Sequence, residues 1–144
     1  MPRLGRFLFA EWLEAEDIRR TPELPDRSWL AAYTDYQHCR HEREVRVIDS
    51  GWNIEDRLAG PFEQAVVRWR LCPDVAWHVD GDVVRSELAA IHVEASGEIE
   101  ELRLSDGWES RHYLEKTRLP VVEILLGAGR QNVMTRIELR QVQG

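Results

Sequence analysis

The stretch Trp52-Asn53-Ile54-Glu55-Asp56-Arg57-Leu58 decides the fold. Trp52, Ile54 and Leu58 turn one way while Asn53, Glu55 and Arg57 turn the other, the period of two that a half-buried strand requires. The same alternation continues along the chain. Val67, Trp69 and Leu71 oppose Arg68 and Arg70, and Ala89, Ile91 and Val93 alternate with His92 and Glu94. Leu102 and Leu104 flank Arg103, and Val133, Thr135, Ile137 and Leu139 share a face opposite Met134, Arg136 and Glu138. Residues 120–126 form a more continuous apolar run, as expected of a strand at a sheet centre.

Turn chemistry separates these runs: Asp49-Ser50-Gly51, Ala59-Gly60-Pro61, Asp80-Gly81-Asp82, Ser96-Gly97, Asp106-Gly107 and Gly127-Ala128-Gly129. Such residues tolerate a positive φ or close a tight turn. Short strands at this spacing, with no long helical pattern between them, predict an all-β protein, an antiparallel β-sandwich. Trp52 and Trp69 are expected in its core. Trp77 and Trp108 lie beside turns, where core packing and ligand stacking are both open readings. The first residues carry two readings as well. Leu8, Trp12, Ala15 and Ile18 fit a short N-terminal amphipathic helix, whereas residues 6–12 also suit a strand. With no repeat, linker or low-complexity tract, residues 1–144 are expected to form a single β-sandwich domain. Residues 1–30 make an N-terminal arm or strands, and residues 31–144 the core sandwich.

The chain of 144 residues carries 19 basic and 26 acidic side chains, a net charge of -7. That balance argues against a nucleic-acid partner, since such domains concentrate basic charge. No apolar run approaches the ~18 residues that span a bilayer, so no membrane partner is expected. The stretch Phe7 to Ala10 is too short for a secretory signal, which places the chain in the cytoplasm unless further sequence precedes Met1. Cys39 and Cys72 read as free thiols rather than as a disulfide framework.

Chemistry-bearing residues gather in two places. In the first, residues 33–43, tyrosine, histidine and arginine stand together (Tyr36, His38, Arg40 and His41 among them), a set able to neutralise a carboxylate and move a proton. A solvated polar strand end is the plainer reading. His38, Cys39 and His41 lack a second Cys/His pair at zinc-site spacing, so no metal is expected. In the second place, Trp108, Arg111 and His112 stand beside Glu109. They read as a polar ligand edge or as a side-chain pair tying neighbouring strands. Gly127-x-Gly129 follows an apolar run, but a third small residue and a helix are missing, so a hairpin turn is expected there and no dinucleotide cofactor.

Four stretches taken together resemble the C-terminal β-sandwich region of the heparinase II/III-like polysaccharide lyases. They are YQHCRHEREV (36–45), WNIEDRLAGP (52–61), VRWRLCP (67–73) and WESRHYLEKTRLPVVEI (108–124), and the resemblance runs from Tyr33 to Leu139. It implies β-elimination at a uronic acid of an acidic polysaccharide, with an Asn, Arg or His group neutralising the carboxylate and a Tyr or His as base and acid. No cofactor is obligatory in that family, although some members carry a structural metal. The larger part of the family's site lies on an N-terminal α/α toroid that this sequence does not contain, so no catalytic residue is carried over. Tyr36, His38, Arg40, His41, Trp108, Arg111 and His112 remain as candidate glycan-contacting residues. The expected function is that of a lyase-type sandwich not catalytic by itself, with an acidic polysaccharide and a toroid domain as partners. A non-catalytic carbohydrate-binding module is the first alternative. A protein-interaction or homo-oligomerisation domain, using Phe7, Phe9 and Trp12, is the second.

Overall fold

The structure, a computed structural model, describes residues 14–16, 27–112 and 114–140. Eleven strands run through them: β1 (Glu14–Ala15), β2 (Ser28–Thr34), β3 (Arg40–Ile48), β4 (Gly51–Ala59), β5 (Ala65–Arg70), β6 (His78–Asp80), β7 (Val83–Arg85), β8 (Ala89–Ala95), β9 (Ile99–Glu109), β10 (Thr117–Leu126) and β11 (Gln131–Leu139). They form an eight-stranded sheet in the order β1-β2-β3-β4-β11-β8-β7-β6 and a three-stranded sheet in the order β5-β10-β9. The strand pairings are antiparallel in both sheets. The fold is all-β, as the period-two pattern predicts. No helix among the described residues is long and apolar enough to cross a membrane.

The two sheets meet through one apolar layer. Val67 of β5 and Val122, Ile124 and Leu126 of β10 pack with Val84 of β7, Ile91 and Val93 of β8, and Val133 of β11. Each fully buried aliphatic side chain contributes about 1.5–3 kcal/mol, so this layer is the main source of the sandwich's stability. β10 lies at the centre of its sheet, in agreement with its continuous apolar run. Its Glu123 faces away from this layer and lies between Arg68 Nε at 2.7 Å and Arg103 Nε at 2.9 Å, one arginine from each neighbouring strand. The Arg68 hydrogen bond, followed by that of Arg103, holds the Glu123 carboxyl below its ordinary range.

The architecture departs from the sequence reading in several places. Asp106 and Gly107 do not form a turn but lie inside β9, with Gly107 opposite Leu119 of β10. A Cβ at Gly107 would stand 2.5 Å from Val121 Cγ2, so the glycine serves close strand packing. Trp108 therefore sits within a strand. Trp77 packs against the core and donates its indole N–H to the Cys72 carbonyl at 3.2 Å, which favours the core reading over ligand stacking. Ala15 belongs to a strand paired with β2 and not to a helix. Leu8, Trp12, Ile18, Phe7 and Phe9 lie outside the described residues. β2 begins at Ser28 and so straddles the division expected between residues 30 and 31.

The three-stranded sheet is much narrower than the eight-stranded one, and this mismatch shapes the surface. β5 reaches the β3–β4 pair, where the Arg43 guanidinium lies 4.2 Å from the centre of the Trp69 ring. Beyond that line the inner face of the large sheet is open. Trp52 takes the expected direction, level with Val47 and Ile137, yet remains 36% exposed because no strand covers it.

Candidate functional site

Period two places His41, Arg43 and Asp56 on the inner face of the large sheet, with Arg43 directly opposite Asp56. Asp56 is fully buried. A lone carboxylate there would be costly, and two neighbours offset that cost. Arg43 grips it with both arms, Nε to Oδ1 at 2.6 Å and Nη2 to Oδ2 at 2.9 Å. His41 Nε2 stands 2.6 Å from Oδ1. Burial alone would raise the Asp56 pKa, but the hydrogen bonds from His41 and Arg43 outweigh it and hold the carboxyl below its ordinary value.

The relay continues outward. His41 Nδ1 lies 3.3 Å from the Tyr33 hydroxyl, and the two rings meet edge to face with centroids 5.3 Å apart. A carboxylate only accepts, so in the neutral ring the proton belongs on Nε2, pointing to Asp56. Nδ1 is then an acceptor and the Tyr33 hydroxyl donates to it. Burial, reinforced by Asp35, raises the Tyr33 phenol above its ordinary pKa, which keeps that donor protonated at neutral pH. Tyr33, His41 and Asp56 thus form a line from the surface to a buried charge, with one direction of hydrogen bonding.

This line opens into a groove of about 510 Å³ between β2–β3 and the free edge of β5, with Phe62, Ala65 and Val67 on its apolar side. Arg40, Arg43 and Arg68 are among its lining residues, and Asp35 is the one acid in the lining. In a chain of net charge -7 this is a local positive excess. Field focusing in such a cleft favours an anionic ligand even when the whole molecule is acidic.

The acid dependence of stability follows from these pairs. Asp56, Glu42 and Glu123 all lie below their ordinary pKa values in the folded chain. For Glu42 the Arg57 hydrogen bond is the largest cause. A carboxyl lowered on folding stabilises above its unfolded pKa, and the benefit is lost as pH falls through the folded value. Urea unfolding midpoints should therefore hold steady above about pH 5 and fall once the pH drops below about 4.

The residues singled out from sequence separate into distinct places. Tyr36 and His38 occupy the β2–β3 turn, which Asp35 builds by accepting from the Gln37 and Cys39 backbone N–H groups, both at 2.9 Å. His38 is not in a strand and has a left-handed φ of 60°. Arg40 is committed to Glu16 and Glu42, on the face opposite His41. His41 is the one of the seven candidates that joins the buried relay. Trp108, Arg111 and His112 belong to β9 and the segment after it, across the three-stranded sheet from the β5 groove, so the two clusters are not brought together. Arg111 pairs with Glu109 at 2.7 Å within its own segment rather than across strands. Trp108 is 55% exposed, with Lys116 Nζ 5.5 Å from its ring centre. Among the described residues no group of three His, Cys, Asp or Glu is placed to hold a metal ion.

With this geometry in hand, similar folds are informative. The heparan sulfate lyase HepC from Pedobacter heparinus superposes with a TM-score of 0.67 at 18% identity, over 92% of this chain and 22% of that one. The chain has the fold of one segment of that lyase. A heparinase III, the BT4657 gene product, gives a TM-score of 0.62 at 12% identity, over 90% of this chain and 22% of its own. A further heparinase III structure gives 0.52 at 14% identity. The chain thus spans about a fifth of the length of these lyases. No protein-family model matches the sequence, and no curated protein matches it.

Proposed function

We propose that this chain is a lyase-type β-sandwich that binds an acidic polysaccharide in the β3–β5 groove and is not catalytic alone. The observation that carries the reading is the coincidence of two features. The fold is shared with a segment of heparan sulfate and heparin lyases, and it holds a positively lined groove ending in the Tyr33–His41–Asp56 line. In this reading the guanidinium N–H groups of Arg43 and Arg68 meet the uronate or sulfate oxygens, since an arginine fork suits planar anions. Tyr33 and His41 donate to, or exchange a proton with, the sugar hydroxyls. Elimination itself requires groups from a second domain, which in the lyases accounts for the remainder of a longer chain.

A uronic-acid oligosaccharide should bind with a dissociation constant in the micromolar to millimolar range, common for a shallow groove of this size, about -4 to -8 kcal/mol. Heparan sulfate, heparin and alginate fragments are the panel, read by calorimetry alongside ultraviolet absorbance of the unsaturated product. His41→Ala and Arg68→Ala should each weaken binding by about fivefold to tenfold, with no absorbance growth from any form. Turnover by the isolated chain would contradict the non-catalytic part of the reading, and an absence of binding across the panel would contradict the rest.

Trp108 favours a second reading of the same class. An exposed indole carrying a lysine ammonium is a suitable stacking surface for an anionic sugar, which would place the glycan at the β9 edge of a free-standing binding module. Loss of binding in Trp108→Ala with none in His41→Ala would select it.

A further inference from the structure

β2 carries a feature that the relay does not use. Trp29, Ala31 and Tyr33 alternate onto the inner face of the large sheet, paired with Val45, Arg43 and His41 of β3. All three are exposed, Trp29 at 46% and Tyr33 at 37%. The small sheet does not reach them. Two aromatic side chains therefore stand about 14 Å apart at their Cα atoms, with only a methyl group between them. The floor of this saddle is Ala31, and its register partner is Arg43, whose side chain is 31% exposed.

We infer that the Trp29–Ala31–Tyr33 saddle is a sugar-stacking subsite for an anionic pyranose, continuous with the groove at Tyr33. This inference rests on the acidic-polysaccharide reading above and adds the place and mode of contact. Three observations select a sugar over an apolar protein surface. The aromatics are spaced by a small residue, which leaves room for a ring that lies flat against the Trp29 indole, whereas a protein interface of this kind is filled by contiguous apolar side chains. The side nearest β3 is cationic and polar, with Arg43 at the floor and His41 beside Tyr33, so charge complementarity points to an anion. Tyr33 belongs to both the saddle and the groove lining, so one extended chain can occupy both. Arg43 already spends Nε and Nη2 on Asp56, and the ligand meets the guanidinium through Nη1.

The test uses the intact chain with a heparan sulfate hexasaccharide, and cellohexaose as the neutral control. Trp29→Ala removes the stacking face and Ala31→Leu fills the floor. Both positions are exposed, so the unfolding midpoint should stay where it is. Each change should weaken hexasaccharide binding by about tenfold, and cellohexaose should bind the unaltered chain at least about tenfold more weakly. Hexasaccharide binding that survives both changes within about twofold, while His41→Ala weakens it, would overturn the saddle and leave the groove standing. No hexasaccharide binding by the unaltered chain would remove both. Equal binding of cellohexaose would overturn the anionic specificity. Self-association that Trp29→Ala abolishes, with glycan affinity unchanged, would assign the saddle to a second copy of the chain instead.

Discussion

Replacing Arg43 with alanine is expected to lower the unfolding free energy near neutral pH by about 3–5 kcal/mol. Asp56 has no exposure, so the change strands a carboxylate in the sheet interface with His41 as its one remaining side-chain donor. Contact with the Trp69 ring is lost as well. Removing one partner of a buried pair costs far more than the pair itself contributes, because the survivor keeps its desolvation penalty. The pH dependence separates this cause from simple loss of packing. In the unaltered chain Asp56 is held below its ordinary pKa, and its contribution is present at neutral pH and lost in acid. Without Arg43, burial outweighs the single remaining hydrogen bond and the folded pKa rises above the unfolded one. A carboxyl raised in this way costs stability as pH rises, so the deficit of Arg43→Ala should shrink as pH falls from about 7 towards 4. Urea denaturation of both forms across that range measures it. A deficit that stays constant with pH would show that packing, not charge, is what Arg43 supplies.

Gly51→Ala is the second change with a large expected effect. Gly51 opens β4 with φ at +151°, and an added Cβ would stand 2.0 Å from the Ile137 carbonyl oxygen. The obstacle is backbone of β11, at the Gly51–Glu138 end of the β4–β11 ladder, and it cannot rotate away as a side chain would. Conformational strain of about 1–3 kcal/mol adds to the cost of separating the two strands there, giving about 3 kcal/mol or more in total. Gly81 is the control. It also has a positive φ, +59°, but a Cβ there meets nothing within 4 Å. Gly81→Ala should therefore cost about 1 kcal/mol, the left-handed backbone penalty alone. Thermal unfolding of the two variants side by side checks the contrast, and comparable losses would contradict it.

The same residues explain how far the sequence could be read. Alternation at 52–58, 67–71 and 89–93 located strands because each has one buried and one solvated face, and the apolar run at 120–126 marked β10 at its sheet's centre. Gly107 misled, because a glycine beside an aspartate reads as a turn when its actual role is to let Val121 approach. Strand order was not legible at all. Nothing local to residues 131–139 indicates that β11 inserts between β4 and β8, since pairing is decided by which faces can be buried together. Of the candidate site, His41 was legible as chemistry in a dense polar stretch. Asp56 was not, although period two places it on the face of Ile54 and Leu58. A carboxylate in an apolar register is the signal that pointed to a buried partner. Trp29 and Ala31 gave no sign, because their exposure comes from the unequal widths of the two sheets.

The most direct test of the central proposal is an NMR titration of the isotopically labelled chain with a heparan sulfate hexasaccharide. The account predicts saturable backbone shifts in three segments, at residues 29–33, 39–43 and 65–68, with Trp108 to His112 unmoved. Absence of saturable shifts, or shifts confined to the β9 edge, would contradict it.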